Sequence, residues 1–271
     1  MIESLSDILI ITDVDGTLMR AEKGISPKNL EAIKRFTDKG GHFTVSTGRA
    51  IDVARELLKD IPINAPSVHL NGGYFYDWEK DKIIEPNYIS KYARYSVKKI
   101  KEKFDFCDCH FASFDSVNLL TSGEYLKKYI PYREFHYFNG SIEDIPEEVY
   151  KFIVCCDPEN MPEIRKFVES SAGKEVRIVQ SSPFFLEILP KDNSKGDALR
   201  RLCEMIDIPV ENSVAVGDYE NDSDMLLAAG IGAAVENAQE SLKEKADLIL
   251  PSCEENAIAH LIEFLEEMYE W

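Results

Sequence analysis

The stretch Ile8-Leu9-Ile10-Ile11-Thr12-Asp13-Val14-Asp15-Gly16-Thr17-Leu18 decides the fold. Residues 8–12 are a short apolar run that ends in a polar, glycine-containing loop, which reads as a strand buried on both faces of a parallel sheet. Segments 42–46 (HFTVS), 67–70 (SVHL) and 213–216 (SVAV) repeat that pattern. Helical patterns alternate with them. Ser26 reads as an N-cap with Pro27 at the first helical position, Leu30, Ile33 and Phe36 supply an apolar face, and Gly40-Gly41 ends the helix. Near the C-terminus Ile258, Leu261, Ile262 and Leu265 recur at helical spacing beneath an acidic outer face. This alternation predicts an α/β fold with a doubly wound, mostly parallel sheet.

The middle of the chain changes character. From about 84 to 188 it is richer in aromatics, and strand-like pieces at 152–156 (FIVCC), 176–180 (VRIVQ) and 184–189 (FFLEIL) alternate with helical ones. The expected organisation is a core of residues 1–83 plus 189–271 with an inserted α+β domain at 84–188. No internal repeat or low-complexity tract is apparent.

The composition, 44% hydrophobic and 30% charged over 271 residues, is that of a water-soluble protein with a sizeable core. Asp and Glu total 49 against 31 Lys and Arg, a formal charge of -18, so the overall field repels polyanions. Nucleic acid and anionic membranes are not expected partners, and an anionic substrate needs a local cation to attract it. The N-terminus lacks a basic segment followed by a long apolar run, no stretch has the length of a membrane span, and a cytoplasmic location is expected. Without an export signal the six cysteines read as free thiols rather than a disulfide framework.

Four segments carry chemistry. Asp13 and Asp15 stand at the carboxyl end of the first strand, where open α/β sheets bind ligands, and residues two apart in extended chain project to one side. Two carboxylates that close repel unless a cation or a proton sits between them. The plainer alternative is a turn in which the two acids bond neighbouring amides. Gly217-Asp218-Tyr219-Glu220-Asn221-Asp222 follows the 213–216 strand in the same topological position, and its hard oxygens suit Mg²⁺. Asn221, Asp222 and Asp224 also stand where a helix begins, a place that favours acids without any function; Asp218 escapes that explanation best. Ser46-Thr47-Gly48-Arg49 precedes a helix whose free N–H groups suit phosphate, although a cap and a turn explain it as well. In Ser194-Lys195-Gly196, Ser194 caps a helix and puts Lys195 in its first turn, where the macrodipole disfavours a cation unless carboxylates or phosphate lie opposite. Cys107, Cys109 and His110 lack a fourth ligand and the usual metal spacing, and read as ordinary residues of the insertion. Tyr74, Tyr76 and Trp78 share one face of a strand.

Taken in order, the DxDGT, STGR, SKG and GDxxND segments resemble the four motifs of the haloacid dehalogenase superfamily. Asn71-Gly72-Gly73 and the late insertion resemble its Cof-like metabolite phosphatase branch. The resemblance implies that Asp13 is a nucleophile that becomes an aspartyl-phosphate. It implies that Asp15 is the general acid and base, that Lys195 offsets charge, and that Thr47, Gly48, Arg49, Asn71 and Asn221 serve substrate binding. A Mg²⁺ ion would belong to Asp13, Asp15 through its carbonyl, Asp218 and Asp222, with Asp222 and Asn221 orienting metal and phosphate from behind. The implied substrate is a small phosphorylated metabolite such as a sugar phosphate, and the insertion becomes a cap that contacts it. The acid at position 15 favours phosphoryl over carbon-halogen chemistry. A sugar phosphomutase sharing the aspartyl-phosphate, and a non-enzymatic binder on the same fold, remain as alternatives.

Overall fold

The computed structural model describes residues 4–20, 24–113, 117–129 and 136–269. Its strands are β1 (Leu9–Thr12), β2 (His42–Val45), β3 (Ser67–His69), β4 (Tyr74–Asp77), β5 (Lys82–Ile84), β6 (Cys107–Ala112), β7 (Val117–Leu119), β8 (His136–Tyr137), β9 (Lys151–Cys156), β10 (Val176–Ser182), β11 (Phe185–Pro190), β12 (Ser213–Gly217), β13 (Ile231–Val235) and β14 (Leu248–Leu250). The helices are α1 (Pro27–Asp38), α2 (Ile51–Leu58), α3 (Lys91–Lys103), α4 (Glu124–Tyr129), α5 (Met161–Ser171), α6 (Lys195–Met205), α7 (Ser223–Ala228), α8 (Glu240–Lys243) and α9 (Ala257–Met268).

Every residue of β1 is buried, as its unbroken apolar run requires of a strand covered on both faces. It is an interior strand of a parallel sheet ordered β14-β13-β12-β1-β2, with Leu9 opposite His42 on one side and Ser213 on the other. A parallel bridge between Ser46 and Val68 carries the pairing on toward β3. From β1 the chain steps outward through β2, then restarts at β12 and steps the other way. Right-handed crossovers running outward in both directions cover both faces of the sheet with helices, and α9 at the end of the chain returns to pack on α1. Another pair packs as α6 on α7. The fold is a doubly wound α/β sheet, and its direction reverses between β1 and β12. The crevice at that reversal, beyond the carboxyl ends of both strands, is where such sheets hold ligands.

The helix signals act as read. The Ser26 hydroxyl accepts from the Asn29 amide at 3.0 Å, and removing such a cap costs about 1 kcal/mol. Ile33 and Phe36 of α1 and Leu261, Ile262 and Leu265 of α9 are fully buried in one apolar core with β1.

The chain divides into two compact units, Met1–Glu85 with Ser194–Trp271, and Pro86–Asn193. The expected limits of the insertion are 84 and 188. In the structure β5 stays laddered to β4 through Ile84, and β11 stays paired with β10 through Pro190, so both crossings lie a few residues later. The second unit is built on a sheet ordered β10-β11-β9-β6-β7-β8, antiparallel except for the β7–β8 pair. Alternation along β9 sends Phe152, Val154 and Cys156 into a core with α3 and α5, while Lys151 takes the other face and pairs with Glu187 at 2.9 Å.

All six cysteines are buried free thiols, and Cys107 and Cys109 fall on one face of β6 with His110 on the other. Among the described residues no helix is long and apolar enough to cross a membrane.

Candidate active site

Asp13 is the first residue after β1, and its amide donates to the Val216 carbonyl of β12 at 2.8 Å, which fixes it at the sheet reversal. Asp218 is the first residue after β12. Gly16 turns the chain between them with φ of +82°, and a Cβ there would lie 2.7 Å from Asp218 Oδ2, so glycine is demanded twice. The Thr17 hydroxyl donates to Asp218 Oδ1 at 2.9 Å.

Lys195 enters from the first turn of α6. Ser194 caps that turn by accepting from the Asp197 amide at 3.0 Å. The helix comes unusually close to α7 here: a Cβ on Gly196 would stand 2.3 Å from the Asp224 carbonyl oxygen. The ammonium, with a fully buried side chain, donates to Asp13 Oδ1 at 2.5 Å and to Asp222 Oδ1 at 2.6 Å. This is the placement that the unfavourable helix dipole required, a cation with carboxylates opposite. Burial opposes the charge of Lys195, but Asp13 and Asp222 outweigh it and hold the ammonium protonated.

The acids outnumber that cation. Oxygens of Asp13, Asp218 and Asp222 lie within 4.8 Å of one another. Burial first, and the negative neighbours Asp222 and Asp218 with it, push the Asp13 carboxyl well up, although Lys195 pulls the other way. Burial followed by Asp222 raises Asp218 to about 6. Convergent, partly desolvated carboxylates with one cation among three are a donor set short of positive charge, and all-oxygen donors of this kind fit Mg²⁺. Asp222 is the most committed member. Its Oδ1 takes Lys195, and its Oδ2 takes the amides of Asp218 at 3.0 Å and Tyr219 at 3.1 Å. The donor set of Asp13, Asp218 and Asp222 therefore fits such an ion, and Asp222 also holds the loop and the lysine.

The remaining residues fall in two groups. Thr47 is buried; its hydroxyl accepts from the Arg49 amide at 3.1 Å, and its carbonyl accepts from the Asn71 amide at 3.0 Å. Asn71, in left-handed backbone with φ of 59°, accepts from Asn221 Nδ2 at 3.2 Å, and Gly48 lies against the same Asn71 side chain. Thr47, Gly48, Asn71 and Asn221 are thus brought together from three loops. Asp15 is turned elsewhere: half exposed, it takes a two-pronged pair from Arg49 Nε and Nη2, both at 2.7 Å. Arg49, expected to contact substrate, is thus paired with Asp15 in this structure. Arg49 and Asp15 line one side of an open cavity of about 650 Å³ with Gly16, Met19, Arg20 and Asn237.

Asn237 is a residue that sequence reasoning missed. Its Nδ2 donates to the Gly16 carbonyl at 2.8 Å and its Oδ1 accepts from the Cys253 amide, so it pins the turn after Asp15. The signal was its position just beyond β13, a strand of Ile, Gly, Ala and Val that carries little β pattern.

A family model described as haloacid dehalogenase-like hydrolase matches residues 10–262. The 5-amino-6-(5-phospho-D-ribitylamino)uracil phosphatase YcsE of Bacillus subtilis is 31% identical over 258 residues, 94% of each chain. YwtE of the same organism, with the same named activity, is 30% identical and covers 94% of this chain and 97% of its own. A crystal structure of a haloacid dehalogenase-like hydrolase from Bacteroides thetaiotaomicron matches with a TM-score of 0.81 at 26% identity, over 95% of this chain and 99% of that one. With the fold, the paired acids beyond β1 and β12, and these matches in agreement, the chain belongs to the haloacid dehalogenase-like hydrolase family, in its Cof-like phosphatase branch.

Proposed function

We propose that this protein is a Mg²⁺-dependent phosphomonoesterase that hydrolyses small phosphorylated metabolites through an aspartyl-phosphate on Asp13. The observation that carries the reading is the buried Asp13–Lys195–Asp222 arrangement with Asp218 in reach, which holds a nucleophilic carboxylate in a site short of positive charge. An Asp13 oxygen forms a bond to phosphorus as the bond to the leaving oxygen breaks, and Asp15 delivers the proton that oxygen needs. Asp15 then takes a proton from water as the water oxygen attacks phosphorus, which frees phosphate and restores Asp13. Lys195 offsets the charge of Asp13 and the phosphoryl group, and Thr47 with the loop of Gly48, Asn71 and Asn221 binds phosphoryl oxygens. Asp13, Asp218 and the Asp15 carbonyl would hold the Mg²⁺, which when bound supplies further neutralisation of those oxygens.

The inserted unit is read as the cap that selects the leaving group, and the location as cytoplasmic. The relatives named as phosphatases of a phosphoribityl compound support a phosphorylated sugar or polyol as the substrate class. The test is phosphate release from a panel of sugar, polyol and cofactor phosphates, with Mg²⁺ and with chelator, for wild type and Asp13→Asn. Release that needs the metal and falls by more than about 10⁴-fold in Asp13→Asn is expected. Near-normal release by that variant would sink the reading, and isomerisation without free phosphate would replace it with a mutase.

A further inference from the structure

Behind Arg49 lies a chain of hydrogen bonds, buried at Ser67 and His69 and half-buried at Trp78, that the reaction as described does not use. Trp78 Nε1 donates to the Ser67 hydroxyl at 2.8 Å, Ser67 Oγ lies 2.8 Å from His69 Nε2, and His69 Nδ1 lies 3.2 Å from the Arg49 carbonyl. The direction of every bond is determined. The Arg49 carbonyl can only accept, so the neutral His69 ring carries its hydrogen on Nδ1 and donates it there; Nε2 then accepts from the Ser67 hydroxyl, whose oxygen in turn accepts from the indole N–H. Burial keeps the ring neutral, lowering its pKa from 6.5 to about 4, so Nε2 stays an acceptor.

The same hairpin grips the chain one turn further on. His69 stacks on Tyr74 with ring centroids 5.4 Å apart and planes 16° from parallel. The Tyr74 hydroxyl accepts from the Ile51 amide at 2.8 Å, which satisfies a free N–H of a helix that has no side-chain cap. Arg49 to Ile51 is thus held at its carbonyl by His69 and at its amide by Tyr74, and Arg49 holds Asp15 by two bonds.

We propose that His69 is a positioning residue for proton transfer by Asp15: the Trp78–Ser67–His69 chain fixes the Arg49 backbone, and the Arg49 guanidinium orients the Asp15 carboxylate. This rests on the reading of Asp15 as the general acid. The consequence is selective. A misplaced acid slows the release of a leaving group that must be protonated and spares one that leaves without a proton.

The experiment compares kcat/KM, which covers the steps through leaving-group departure, for an alkyl phosphate and for p-nitrophenyl phosphate. His69→Leu is expected to lose about tenfold more on the alkyl ester than on the aryl ester. His69→Asn, which keeps an N–H where Nδ1 stood, is expected to recover most of that difference, and Trp78→Phe to show a smaller loss of the same kind. Trp78→Phe and His69→Asn carry the test if His69→Leu does not fold. Asp15→Asn is run alongside. A split between the esters in Asp15→Asn but equal or no loss in the His69 and Trp78 variants would overturn the relay alone, whereas no split in Asp15→Asn would overturn the acid assignment beneath it.

Discussion

Among the described residues two lysines are buried against carboxylates, one in each unit, and they differ in whether the charge around them balances. In the inserted unit Lys151 meets Glu187 at 2.9 Å, both almost wholly buried, and the pair sums to zero charge. In the core Lys195 meets Asp13 and Asp222 with Asp218 close by, a group whose formal charge is minus two. Burying a matched pair is close to neutral against a well-packed apolar substitute. Burying an unmatched excess is costly, and folds retain such an excess where a ligand completes it.

Removing each lysine sharpens the contrast. Lys195→Met is expected to lower kcat by about 10³-fold or more, because charge neutralisation dominates phosphoryl transfer. Breaking either buried pair is expected to cost about 3–5 kcal/mol in urea denaturation. The double change Lys151→Met with Glu187→Leu should recover that cost and leave kcat within about twofold of wild type. No apolar substitution of the Lys195 partners should restore turnover, and one that did would erase the distinction.

The excess charge makes a second prediction, of about 3 kcal/mol. Mg²⁺ at 100 times its dissociation constant should stabilise the wild type by about 2.7 kcal/mol, read as a shift in thermal midpoint, and Asp218→Asn should lose most of that shift. A metal response unchanged in Asp218→Asn would move the ion elsewhere.

A similar magnitude is expected from acid. His69 has its pKa lowered in the folded state to about 4, so stability is intact above the unfolded value near 6.5 and falls as the pH drops from there toward 4. The fall attributable to this ring is about 3 kcal/mol, and His69→Asn should flatten that part of a stability–pH curve. The smallest effect belongs to the exposed pair of Lys34 and Asp38, where Lys34→Ala should change stability by less than about 0.5 kcal/mol.

Much of the core was legible because its signals are local. The run 8–12, the cap at Ser26 and the acids at two strand ends each sit within a few residues of what they determine. Strands β13 and β14 were not read. Ile231–Val235 has glycine and alanine at its centre and Leu248–Leu250 has three residues, so neither shows enough pattern to compete with a loop. Of the period-two aromatics, Tyr74 and Tyr76 share one face of β4, while Trp78 lies just past its end and reaches back to Ser67. What that face touches depends on register, and His69 opposite Tyr74 and Ser67 opposite Tyr76 is a fact of pairing that no single segment contains. The Arg49 bond to Asp15, across 34 positions of sequence, belongs to the same class.

The contact at Gly196 sets a tolerance for the whole site. A hydrogen atom is all that stands between α6 and the Asp224 carbonyl, and any larger group must push the two helices apart by a good fraction of an ångström. Lys195 is the neighbouring residue, so the push would be transmitted almost undiminished to its ammonium. Constellations of this kind work only within about 0.5 Å. The absence of a single methyl group, at a position that touches neither substrate nor metal, is therefore a gauge block against which the charge of the site is set.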